Sequence, residues 1–164
     1  MRHRVYRHWQ LTLSPTKCTA MHLSPAQSVI KPLNYCYCIG DVDLPFIDTC
    51  TDLGVTYNRS LNYAAHINNI AAKASLRVKL VLKCFQTRDA AVLMKAFVTF
   101  VCSILEYASA VWNPHYKCEI EKVELVQRRF TNKHAGYRKL SYEHRLARLN
   151  IDSMQVRRMR ADLI

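Results

Sequence analysis

The sequence predicts an α+β chain, mainly α, in which a short strand-rich margin precedes a bundle of four or five helices. Three observations predict it. Apolar residues alternate at period two before residue 60 and recur at helical spacing after it. Half of the 164 residues are hydrophobic, with only three glycines and five prolines, a composition that builds a core rather than a disordered chain. Charge divides along the same line. Residues 1–59 hold six bases and four acids, net +2, whereas residues 60–164 hold 18 bases and eight acids, net +10. Two regions are therefore expected, 1–59 and 60–164.

The elements follow in order. Residues 1–10 read as a helix tail or a loose start. After Ser14-Pro15-Thr16, Cys18 to Leu23 reads as a strand, and Pro25 and Pro32 bound a loop. Tyr35, Tyr37 and Ile39 alternate with Cys36 and Cys38 in a second strand, closed by a Gly40-Asp41 turn. A third is expected near Leu53 to Tyr57. Strands this short read as the margin of a larger sheet.

Beyond Ser60 the period changes. Leu61, Ile67, Ile70, Ala71, Ala74, Val78 and Leu82 form one helical face. Thr87 is the expected N-cap of a second helix, with Asp89 in its first turn, running unbroken to about Ala110. Trp112-Asn113-Pro114 ends it. A third helix is expected from Cys118 to His134, its acids near the start and its bases near the end, in the order that complements the helix dipole. Gly136 stops it, Ser141 caps a short helix through Leu149, and Asp152 with Gln155 has capping-box spacing for a last basic helix.

Composition also bounds function. Lysine and arginine outnumber the acids 24 to 12, a formal net charge of +12, which favours acidic partners without choosing among them. The seven cysteines are odd in number and irregularly spaced, with Cys84 and Cys102 inside apolar helical patterns, so reduced, partly buried thiols of an intracellular protein are expected. The apolar run Ala96 to Leu105 is too short to span a membrane and meets Glu106. No phosphate loop, zinc-protease motif or nucleophile elbow is present, and Cys36-x-Cys38 lacks a second ligand pair, so no metal site is expected in this chain. His66, His115, His134 and His144 read as surface or cap residues.

Six ordered blocks add a resemblance. They are Trp9-Gln10-Leu11-x-Leu13-Ser14-Pro15-x-Lys17-Cys18-x-x-Met21-His22, Asp52-Leu53-Gly54-Val55, and Leu105-Glu106-Tyr107-Ala108-Ser109-x-Val111-Trp112-Asn113-Pro114. Glu124-x-Val126-Gln127-Arg128-Arg129-Phe130-Thr131, Ser141-Tyr142-Glu143-x-Arg145-Leu146 and Arg157-Arg158-x-Arg160-x-Asp162-Leu163-Ile164 complete them. Together they resemble the C-terminal palm and thumb portion of reverse transcriptases from non-LTR, LINE-like (jockey-type) retrotransposons.

That resemblance implies a palm remnant over 1–59 and a helical thumb with its connection over 60–164. It implies that Lys17 is an auxiliary catalytic lysine near the incoming nucleotide's phosphates. It implies that Leu53, Gly54 and Val55 form the primer-grip hairpin, and that thumb helices approach the minor groove of a primer–template duplex. The implied partners are an RNA–DNA or DNA duplex and the rest of the palm and fingers, with no membrane; the implied location is intracellular, nuclear or cytoplasmic. Magnesium is implied for the intact enzyme, and no cofactor for this chain. The aromatic-x-Asp-Asp strand that should precede Trp9 is not in the sequence. The chain is accordingly expected to be catalytically incomplete alone.

The candidate nucleic-acid contacts fall in two groups. Arg128, Arg129, Arg145, Arg157 and Arg158 belong to a stretch, 128–160, with ten bases and two acids, net +8. Lys73, Arg77, Lys79 and Lys83 form a second group, in which residues four apart share a face. Each group reads either as a phosphate track or as a solvated helix face. Tyr107 and Trp112, at the end of an apolar helix, are expected to pack. The alternative to a polymerase fragment is a small helical protein-interaction module, or an inert retroelement remnant with no nucleic-acid role.

Overall fold

The computed structural model describes residues 14–24, 36–87, 89–134 and 136–161. The fold is mixed α+β and predominantly helical, with 56% of residues in helix and 10% in strand, the strands confined to small antiparallel hairpins. The backbone divides into two compact units, Met1–Asn62 and Tyr63–Ile164.

In the first unit a 3-10 turn, Pro15–Lys17, leads into an extended segment. The strand expected over Cys18 to Leu23 forms only one parallel bridge, between Ala20 and Phe46. Two hairpins follow: β1 (Cys38–Ile39) with β2 (Val42–Asp43), and β3 (Thr49–Asp52) with β4 (Val55–Asn58). The third expected strand thus starts later, because Leu53 and Gly54 are spent on the turn. Both have positive φ, +46° and +82°, the geometry of the two-residue turns whose twist matches flanking strands. The Asn58 side chain accepts hydrogen bonds from the Ser60 and Asn62 amides at 3.1 and 2.9 Å, which organises the end of the unit. Residues 1–10, the Pro25–Pro32 loop and Tyr35 lie outside the described residues.

The second unit is built on α1 (Ala64–Cys84). Ile67, Ile70, Ala74, Val78 and Val81 bury one stripe of it, against α5 (Lys117–Thr131) above all. The helix expected to run unbroken to Ala110 is instead α2 (Ala90–Phe97), a π-helical turn (Val98–Cys102), α3 (Ser103–Glu106) and α4 (Ser109–Trp112). Its sequence is apolar nearly all round, so the wide turn can shift the buried register without losing the core. Val101, Cys102 and Leu105 stay inside while Val98 and Phe100 turn out. At the second break Ala108 takes φ +52°, and the Trp112 indole N–H donates to the Tyr107 carbonyl at 2.7 Å, satisfying a group the helix has released.

Two caps differ from expectation. Asp89, not Thr87, is the N-cap of α2: its carboxylate accepts from the Ala91 amide at 2.8 Å, while Thr87 Oγ1 accepts from Asp89 N at 3.1 Å. A carboxylate is the better acceptor at the positive end of a helix. The last helix, α7 (Met154–Ala161), is capped by Ser153, whose Oγ accepts from the Val156 amide at 3.2 Å. Asp152 turns instead to Arg160. Ser141 caps α6 (Tyr142–Leu149) as expected, accepting from His144 N. Helix α5 ends at Thr131, short of His134, and the chain turns at Gly136 with φ +81°.

Candidate nucleic-acid interface

Helix α1 carries no acidic residue along its 21 positions. Lys73, Arg77, Lys79 and Lys83 are all exposed, and none makes an ion pair or hydrogen bond with another described residue. At about 100° per residue, Lys73 and Arg77 form one row, Lys79 and Lys83 another, and Leu76 and Leu80 lie between them. Those leucines are 60% and 51% exposed, in positions that the core does not use. From Lys73 to Lys83 the rise is about 15 Å. The arrangement is a ridge of methyl groups between two rows of unpaired cations. Its leucines were not among the sequence-derived candidates, although their four-residue spacing between lysines was a readable signal.

The arginines of residues 128–160 end differently. Arg158 is only 1% exposed, with its Nε donating towards Asn113 Oδ1 at 3.4 Å. Arg157 grips Glu106 with two bonds, Nε to Oε1 at 2.5 Å and an Nη to Oε2 at 3.1 Å. The hydrogen bond to Glu106, with the charge of that carboxylate, holds the Arg157 pKa above its ordinary value despite burial. Arg145 is buried, donates to Asn132 Oδ1 at 2.7 Å and stacks on the Tyr142 ring at 5.6 Å. Arg128 pairs with Glu121 at 3.3 Å and covers the same ring at 5.0 Å. Of the five candidates in this group, Arg129 alone is exposed with no partner among the described residues.

Glu124, an acid the sequence shows only as part of a charged helix face, is the centre of this region. It is buried, accepts from the Met154 and Gln155 amides at 3.2 Å each, and accepts from the Tyr142 hydroxyl. One carboxylate therefore caps α7 and ties α6 to α5. Burial and this bond push the Tyr142 phenol far above its ordinary range. Gln127 adds a bond to the Asp152 carbonyl at 2.8 Å.

The remaining candidates lie in the first unit. Lys17 closes the 3-10 turn and is exposed. Leu53 and Gly54 form the β3–β4 turn, exposed at its tip, and Val55 is buried beside it. No three His, Cys, Asp or Glu side chains among the described residues are placed to hold a metal ion.

Several expectations are corrected. His66 and His134 are buried core residues rather than surface ones, because each packs its ring on aromatics: His66 on Trp112, His134 on Phe130 and Tyr137. Tyr107 is 57% exposed rather than packed, since the break at Ala108 turns it outward; Trp112 is buried. All the described cysteines are free thiols, Cys84 being exposed and Cys102 buried, with burial pushing the latter up to about 12. No helix among the described residues is long and apolar enough to cross a membrane.

Comparison with known proteins adds little chemistry. No protein-family model matches the chain. A Caenorhabditis elegans protein described as uncharacterized is 27% identical over 111 residues, 66% of this chain. The chain spans 56% of that relative's length. No solved structure matches.

Proposed function

We propose that this chain is the end of the palm and the thumb of a non-LTR retrotransposon reverse transcriptase, an RNA-directed DNA polymerase, and that it grips a primer–template duplex. The observation that carries the reading is the acid-free face of α1, with four cations lacking partners among the described residues. Cations left without protein partners are available to phosphates, and binding releases the duplex's condensed counterions. Two cation rows flanking an apolar ridge suit a groove: the rows reach the two backbones while Leu76 and Leu80 lie against sugars. A methyl ridge offers no donors to base edges, so the contact is indifferent to sequence, as a sliding polymerase requires. Lys17 and the Leu53-Gly54-Val55 hairpin keep the auxiliary and primer-supporting roles that the resemblance gives them, in a polymerase completed by the rest of the palm and fingers. Such a protein works inside the cell, in nucleus or cytoplasm.

The test is fluorescence anisotropy of a labelled RNA–DNA hybrid titrated with the full, monodisperse chain at about 50 and about 200 mM salt. Four phosphate contacts predict an affinity loss of about 100-fold between the two. No binding at the lower salt rejects the reading. A second reading, a helical protein-interaction module, is favoured by the same exposed leucines, and it predicts binding that changes little with salt.

A further inference from the structure

One continuous stack in the helical unit has no part in duplex binding. Phe97 of α2 lies nearly flat on Phe130 of α5, with ring centroids 4.3 Å apart and planes 18° from parallel. Phe130 meets His134 edge-on at 5.0 Å, and His134 meets Tyr137 at 5.9 Å. The Arg148 guanidinium of α6 then lies over the Tyr137 ring, 5.4 Å from its centre. The stack crosses from α2 to α5, through the Gly136 turn, to α6. His134 is the one link in it whose ordinary pKa lies near neutral pH.

His134 is poorly placed to hold a proton. It is 4% exposed, and its Nε2 is buried with no hydrogen-bond partner. Burial holds its pKa below the ordinary 6.5. Of the charged groups on the packed helices, Arg148 lies over Tyr137, Arg145 is bonded to Asn132 at the end of α5, and the Glu124 carboxylate of α5 is taken up by Tyr142 and two α7 amides. On α6 the titratable neighbours are the exposed Glu143 and His144, the latter bonded to Ser141 at 2.7 Å. None of the ring contacts or hydrogen bonds of His134 brings it a carboxylate. An imidazolium here would be buried without an acceptor and would compete with Arg148 for the Tyr137 ring.

We propose that His134 is an acid-sensitive latch between α5 and α6: taking up a proton from solvent parts the stack at the Gly136 turn and loosens α6, leaving it on the Tyr142–Glu124 and Arg145–Asn132 bonds alone, while α1 keeps its packing. Glycine at φ +81° gives the turn the backbone freedom to reorient. The opening is local, of the kind that costs less than global unfolding. Its effect is to make the presentation of the α6 arginines, Arg145 and Arg148, depend on pH, independently of the α1 cation face.

The experiment is amide hydrogen exchange on the full chain from roughly pH 7.5 to 5, corrected for intrinsic rates, beside an NMR titration of the His134 ring. Protection of residues 142–149 is expected to fall by up to about tenfold for each unit by which the His134 pKa is lowered, starting near the ordinary imidazole value and levelling off at the ring's own lower titration, and to fall further than the protection of α1. His134→Phe keeps a ring in the stack and should abolish the fall; His144→Asn should leave it intact. A fall shared equally by α1, or one undiminished in His134→Phe, overturns the latch. Should His134→Phe not fold, the wild-type curves decide: an α6 fall that does not level off at the pH of the His134 ring's own titration overturns it equally.

Discussion

The outer face of α1 and the arginines of residues 128–160 carry comparable positive charge, yet their side chains end in different company. Lys73, Arg77, Lys79 and Lys83 meet no carboxylate among the described residues, because α1 has none of its own. Arg128, Arg157 and Arg160 meet Glu121, Glu106 and Asp152, and Arg145 and Arg158 are buried. A charge count along the chain ranks the second region first, since it holds net +8. The folded arrangement reverses that ranking. Glu106, the acid that Arg157 meets, comes from another helix 51 residues away, where a local window cannot see it. Glu121 and Asp152 lie close to their arginines along the chain and neutralise them locally.

The comparison breaks most sharply where charge is structural. Glu124→Ala leaves the Tyr142 hydroxyl and two α7 amides without their acceptor, and Arg158→Ala empties a fully enclosed site. Each is expected to cost about 3–5 kcal/mol, enough to lower Tm by about 10 °C or more. Thermal unfolding followed by circular dichroism checks it. A variant that unfolds within about 2 °C of the wild type would mean these groups are not structural, and the contrast with α1 would fail.

The opposite phenotype is expected on α1. Replacing Lys73, Arg77, Lys79 and Lys83 together by Gln should leave stability within about 0.5 kcal/mol, because no described partner is lost. The same change should weaken hybrid binding at low salt by about 100-fold and flatten its salt dependence. Loss of binding on Arg157→Ala instead, with the α1 variant unaffected, would move the interface to the C-terminal helices.

How much of this was legible varies with the range of the interaction. The α1 stripe and the Ser141 cap follow from neighbours a few residues apart, and both are readable in the sequence. The π-helical turn was not, because a segment apolar on every side does not report which register is buried. The strand expected from Leu53 starts at Val55, because Leu53 and Gly54 make the turn of the hairpin that the resemblance alone suggested, with a positive φ at Leu53 that residue propensities oppose. In the candidate site, the α1 cations were visible, but their availability was not: that depends on where Glu106, Glu121 and Asp152 go. Glu124 was the hardest case, an acid in an ordinary-looking helix whose partners lie 18 to 31 residues away.

A smaller effect ties pH to the α1 side of the comparison. His66 is buried against Trp112, and its pKa is lowered first by that burial and then by Lys73. As pH falls below about 6.5 the unfolded chain's imidazole protonates before the folded one. Stability is therefore lost between that value and the lower folded pKa, and flattens beneath it. Urea midpoints at several pH values check the sign, and Lys73→Gln should narrow the window slightly. A midpoint that rises on acidification would contradict it.

The smallest effects belong to the exposed pairs, which sharpen the comparison from its weak end. Arg160 and Asp152 are joined on the surface, as are Arg128 and Glu121, with side chains 67% and 39% exposed on the arginine side. Water screens both pairs, so alanine at Arg160 should cost well under about 1 kcal/mol. Arg128→Ala should cost somewhat more, since it also uncovers the Tyr142 ring. If Arg160→Ala instead measurably weakens hybrid binding, the Asp152 carboxylate it uncovers repels the duplex. The rule separating the regions would then be the sign of the exposed field, not the presence of a bonded acid. Unchanged affinity in Arg160→Ala, beside a large loss in the α1 variant, leaves availability of the cation as the quantity that distinguishes the two surfaces.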